Sequence, residues 1–151
     1  MRQCPCPMPV MLAVTTLLAA GVAGASTTAG KQAWTQARVS AGLHSLNQVA
    51  TVIYQAAPAS VPLGSVITQV AAQRDWAGRA IVQTSLCWGA SGQCVDIVGT
   101  SINTAVFSGL DASQPMRLVH RVTEWRGSRP PLYVKGNVTV WYGPPEALPN
   151  Q

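Results

Sequence analysis

Residues 79–99 read RAIVQTSLCWGASGQCVDIVG, two short runs rich in β-branched residues on either side of a glycine-containing loop that carries Cys87 and Cys94. Ile81, Val82, Thr84, Val95, Ile97 and Val98 favour extended backbone, and Gly89 and Gly92 favour a turn between the runs. The stretch therefore predicts a hairpin. If Cys87 opposes Cys94, then Leu86 opposes Val95 and Thr84 opposes Ile97, which puts Val82, Leu86, Val95 and Ile97 on one face. The cysteine pair then shares the other face with Ser85 and Asp96, beside Ile81 and Val98.

What the two cysteines do depends on the start of the chain. Arg2 provides a positive charge, residues 10–22 form a largely apolar run, and Ala23, Gly24 and Ala25 supply the small residues of a cleavage site. Residues 1–25 are thus expected to be a secretory signal peptide cut after Ala25, since the run is too short to span a bilayer and no basic stop-transfer cluster follows it. Cys4 and Cys6 precede the apolar run, and no cysteine stands at the cleavage site to take a lipid anchor. Cleavage leaves Cys87 and Cys94 as one pair in an oxidising compartment, where a disulfide is favoured. A redox role calls for a two-residue spacing at a helix start, and a metal site calls for partners that the separate His44 and His120 do not supply. The pair reads as a structural staple.

The other segments carry the same period. Residues 48–55 (QVATVIYQ) form a β-branched run stopped by Pro58, Pro62 and Gly64. Along residues 65–76, Val66, Thr68, Val70 and Ala72 alternate with Ile67, Gln69, Ala71 and Gln73, and a short strand is expected around Val106 and Phe107. In residues 116–125 (MRLVHRVTEW), Met116, Leu118, His120 and Val122 form an inward face. Residues 132–142 (LYVKGNVTVWY) are expected to make a hairpin turning at Lys135, Gly136 and Asn137, with Val138, Val140 and Tyr142 on one side and Thr139 and Trp141 on the other. Residues 31–46 admit a helical reading through Ala33, Trp34, Ala37, Ala41 and Leu43, but the face is weak and uncapped, so the segment is given no element. About seven short strands with frequent turn signals predict one all-β domain over residues 26–151, an antiparallel sandwich or small barrel.

Chemistry is sparse. Five carboxylates and two histidines are spread widely, no nucleophile elbow surrounds a serine that could join His120 and Asp111, and neither a cofactor nor a metal site is indicated. His120 reads as an inward strand residue, and the glycosylation sequon at Asn137, Val138 and Thr139 reads as coincidence. No enzymatic role is expected. After cleavage, ten Lys and Arg less Arg2 leave nine basic residues against five acidic ones. Five of the nine are Arg117, Arg121, Arg126, Arg129 and Lys135. Arg117, Arg121 and Trp125 share a strand face, so Arg117, Arg121, Trp125, Arg126 and Arg129 are the candidate partner contacts, against the plainer reading of a solvated polar face. Export argues against nucleic acid as a partner, and no stable membrane anchor is expected after cleavage.

In order, Ala33-Trp34, the S-x-P-L loop at residues 60–63, Leu86-Cys87 with Cys94-Val95, the M-R-L-V strand at residues 116–119 and residues 131–142 (PLYVKGNVTVWY) together resemble the flagellar FlhE family. Within the last stretch, Val134, Lys135, Asn137, Val138, Val140 and Tyr142 carry the likeness. The resemblance implies a non-enzymatic periplasmic accessory protein of flagellar biogenesis. It would act beside the flagellar type III export apparatus, with a protein of that apparatus as partner, and limit proton leakage. The alternative is a general periplasmic β-sandwich that binds cell-wall glycan or serves as a chaperone, with Trp76, Trp88, Trp125 or Trp141 as stacking surfaces.

Overall fold

A computed structural model describes residues 32–90 and 92–144. The expected signal peptide lies outside these residues. Eight strands are present: β1 (Gln32–Val39), β2 (Val49–Tyr54), β3 (Val66–Trp76), β4 (Ile81–Trp88), β5 (Gln93–Asp96), β6 (Ser101–Thr104), β7 (Met116–Glu124) and β8 (Val134–Gly143). They form two four-stranded sheets, ordered β1-β8-β3-β6 and β2-β7-β4-β5, with every pairing antiparallel. This is a β-sandwich.

Period-2 alternation builds the core, because each strand turns one row of side chains toward the opposite sheet. β7 sends in Met116, Leu118, His120 and Val122, and β8 sends in Val134, Val138, Val140 and Tyr142, all buried. Met116, Leu118, Val138, Val140 and Tyr142 join Tyr54, Ile67, Val70, Leu86 and Phe107 in the main cluster, while Leu43, Val82, Val122, Leu132 and Val134 form a second one. β4 and β5 pair in the expected register, Cys87 with Cys94, Leu86 with Val95 and Ser85 with Asp96. The two cysteines form a disulfide across a Cα separation of 4.1 Å.

That bond closes a loop of about eight residues, for which the chain-entropy model gives about 2.5 kcal/mol of stabilisation. Cys87→Ala/Cys94→Ala should lower the free energy of unfolding by about that amount in urea titration, and mass spectrometry of the native protein should find no free thiol at Cys87 or Cys94. Free thiols, or a double variant of unchanged stability, would remove the staple.

Several sequence expectations are corrected. Residues 132–142 are not a hairpin: Lys135, Gly136 and Asn137 lie inside β8, a single strand paired to β1 on one side and β3 on the other. Gly136 serves close packing there, because a Cβ at this position would sit 2.7 Å from Leu118 Cδ1 and closer still to Tyr54 Oη. Residues 32–39, given no element, form the edge strand β1. Trp34 is its one buried residue, so the strand carries almost no periodic signal. In β3 the register shifts between Ile67 and Gln69, so the two alternating series do not stay on separate faces and Ile67 turns inward with Val70 and Ala72. The short strand expected around Val106 and Phe107 lies earlier, at Ser101–Thr104. Phe107 instead fills the core from a turn closed by Ser108 N–H donating to Ala105 O at 2.9 Å.

Candidate contact surface

β7 lies between β2 and β4, so its outward residues stand at the centre of the second sheet's outer face. The register places Arg117 between Ile53 and Cys87, Val119 between Thr51 and Ser85, and Arg121 between Val49 and Gln83. Arg117 and Arg121 are four residues apart on one strand, hence about 13 Å apart along it. Arg121 is exposed, and Arg117 is half-buried with a buried Nε that has no hydrogen-bond partner. Val49 and Ile53 beside them are 45% and 49% exposed. Among the described residues the one ion pair joins Arg126 Nε to Glu124 Oε1 at 2.9 Å, so neither face arginine has an acidic partner. Asp96, at the far edge, accepts a hydrogen bond from Ser85 Oγ at 2.5 Å.

The face therefore combines two uncompensated guanidinium groups with exposed branched aliphatic side chains, a composition suited to an acidic, partly apolar protein surface. Sequence reading found the arginines and missed Val49 and Ile53. The missed signal is in residues 48–55, where Val49 and Ile53 stand on the strand face opposite Val52 and Tyr54 and leave no wholly polar side.

Trp125, Arg126 and Arg129 do not join this face. The β4–β7 register slips between Ile81 and Val82, pairing Ile81 with Glu124 and Val82 with Val122, and this breaks the alternation before Trp125. Trp125 then packs on the second core cluster. Arg126 has a φ of 36° and lies over Glu124 in an exposed pair of little energetic weight. Arg129 lines a separate cavity at the end of the sandwich.

Nor do His120 and Asp111 converge. His120 is fully buried with Nδ1 2.9 Å from Thr84 Oγ1, and burial together with the nearby Arg74 cation lowers its pKa from the ordinary value to about 4. Asp111 sits in an exposed turn, its carboxyl held below the ordinary range chiefly by hydrogen bonds from Ser113 Oγ and N–H. Among the described residues, no three His, Cys, Asp or Glu side chains gather in a metal-binding group.

No protein-family model matches the chain, and no curated protein matches it either. Among solved structures, it is similar to a crystal structure of FlhE, with a TM-score of 0.60 and 24% identity over 77% of this chain and 99% of that one. The fold is FlhE-like. A cryo-EM structure of the giant freshwater prawn Macrobrachium rosenbergii extra small virus particle also aligns, at 16% identity over 93% of this chain and 92% of that one, but its TM-score of 0.27 carries no argument. At 24% identity roughly three aligned residues in four differ from FlhE. The assignment of contacts on this FlhE-like sandwich therefore rests on this chain's own side chains.

Proposed function

We propose that the protein is a non-enzymatic accessory factor of flagellar biogenesis that works in the periplasm beside the flagellar type III export apparatus and limits proton leakage through it. The observation that carries the reading is the FlhE-like fold, matched over 99% of the FlhE chain. Binding is the mode of action, because Arg117 and Arg121 stand without acidic partners beside exposed Val49 and Ile53. Such a surface takes an acidic, partly apolar face of an export-apparatus protein.

Deletion of the gene should acidify the cytoplasm and alter motility, and the wild-type chain should restore both. Arg117→Glu/Arg121→Glu should fail to restore them and should lose a partner captured from periplasmic extract, while keeping the wild-type unfolding midpoint. Both positions face outward, so the charge change spares the core. Full rescue by the double variant would exclude this face as the contact, and a deletion strain with normal motility and cytoplasmic pH would exclude the flagellar role.

A further inference from the structure

On the other sheet, the end of the sandwich where β3 leaves and β8 enters holds a cavity of about 510 Å³, lined by Asp75, Trp76, Ser128, Arg129, Tyr133 and Lys135 among others. That volume lies within the range of small-ligand sites. Its walls are fixed. Ser128 Oγ accepts hydrogen bonds from Arg79 N–H at 2.7 Å and Ala80 N–H at 3.0 Å, tying the β3–β4 turn to the β7–β8 loop. Leu132 exchanges two backbone hydrogen bonds with Leu43, at 2.8 and 2.9 Å, and Val134 N–H donates to Ser40 Oγ at 2.9 Å. Tyr133 is therefore held on both sides by the segment that follows β1.

Tyr133 is 53% exposed although its backbone is immobilised. The absence of a side chain at Gly42 gives its ring a close seat, since a Cβ there would come 3.4 Å from Tyr133 Cε1 and 3.1 Å from Pro131 Cβ. Trp76 forms a stiff wall: its ring lies over the Arg74 guanidinium at 5.1 Å, and its Nε1–H donates to Ala80 O at 3.0 Å. Asp75 and Lys135 are cross-strand partners, both exposed, yet they are not joined in an ion pair. A presented aromatic ring therefore stands beside an unengaged carboxylate, an unengaged ammonium and the Arg129 guanidinium.

We infer that this cavity is a saccharide-binding site. A sugar ring offers an apolar C–H face to stack on Tyr133, and hydroxyl groups that donate to Asp75 and accept from Lys135 and Arg129. A proline-rich peptide would need a row of exposed aromatic rings, and here Trp76 is packed inward. The site is independent of the arginine face and of the flagellar reading, because it lies at the end of the sandwich and shares no residue with that face.

The test is amide chemical-shift mapping of the uniformly labelled protein with chitotriose, cellotriose and maltotriose at up to tens of millimolar. At least one trisaccharide should move the amides of Gly78, Ser128, Tyr133 and Lys135 along a saturable curve. Tyr133→Ala should weaken that binding about tenfold or more, and Tyr133→Phe should change it less than about threefold, because stacking keeps the ring and not the hydroxyl. Asp75→Ala and Lys135→Ala, both at exposed positions, provide loss of binding that does not depend on how Tyr133→Ala folds. The assignment is overturned if none of the three sugars moves these amides, if Tyr133→Ala and Lys135→Ala bind as tightly as wild type, or if decaproline moves them while the sugars do not.

Discussion

Gly136→Ala should lower the free energy of unfolding by about 3 kcal/mol, read as a fall in the urea midpoint at unchanged slope. The expected cause is overpacking, with no contribution from backbone conformation, since Gly136 lies in extended β8 between β1 and β3. A Cβ would be driven against Tyr54 Oη and to within 2.7 Å of Leu118 Cδ1. Both neighbours are completely buried, so neither can swing away. Alanine is the better strand residue by several tenths of a kcal/mol, and that gain is too small to offset the collision. Tyr54 supplies an internal control. Its hydroxyl is buried without a hydrogen-bond partner, and burial raises its pKa to about 12 against the opposing effect of Arg38. Tyr54→Phe alone should be close to neutral, because it removes a hydroxyl that makes no bond. In that background the nearest clashing atom is gone, and the cost of Gly136→Ala should shrink by about 1 kcal/mol or more. A Gly136→Ala variant as stable as wild type would refute the packing account.

The same glycine shows where sequence reading stopped. Lys135-Gly136-Asn137 carries the local chemistry of a turn, yet Val134, Gly136, Val138, Val140 and Tyr142 keep one uninterrupted period of two. The deciding fact is the arrival of Tyr54 from the opposite sheet, and Tyr54 is 82 residues away in sequence, where no local pattern reaches. The two bulges have the same character. Each inserts one residue, so Ile67 and Trp125 point where simple alternation does not send them. By contrast, β7 and the β4–β5 hairpin were legible, because an amphipathic alternation and a loop closed by two cysteines are both written within a few residues. Half of the candidate contact surface was legible for the same reason. Arg117 and Arg121 share one strand, whereas Val49 and Ile53 reach them only through the pairing of β2 with β7, a contact between segments more than 60 residues apart.

Arg74, Thr84 and His120 form a buried polar network inside the sandwich, and it should dominate both stability and its response to acid. Arg74 is 8% exposed and crosses from β3 to the other sheet. Its Nη1 donates to Val82 O at 2.5 Å and to Thr84 Oγ1 at 2.8 Å, its Nε to Gly99 O at 2.8 Å and its Nη2 to Ile97 O at 3.2 Å. Four acceptors from β4 and the β5–β6 connection thus depend on one guanidinium, and burial lowers its pKa from the ordinary value. Arg74→Met keeps much of the volume and strands those acceptors, so it should cost about 3 to 5 kcal/mol, measured by urea unfolding at pH 7.5. Thr84 links this cation to His120, whose imidazole stays neutral in the fold down to about pH 4. The unfolded chain takes up the same proton near the ordinary histidine value of about 6.5. Above that pH the group contributes no pH dependence. Between about 6.5 and 4 the unfolded state binds more protons, so stability falls as pH drops, by about 3 kcal/mol in all. The carboxylates titrate over the same range, so the informative quantity is a difference: from pH 7.5 to 4.5, wild type should lose about 2 to 3 kcal/mol more than His120→Gln. Removing the Arg74 charge also removes the second cause of the depressed His120 pKa, so Arg74→Met should lose less than wild type over the same interval. Equal losses in wild type and His120→Gln would mean that His120 is not held neutral by its surroundings.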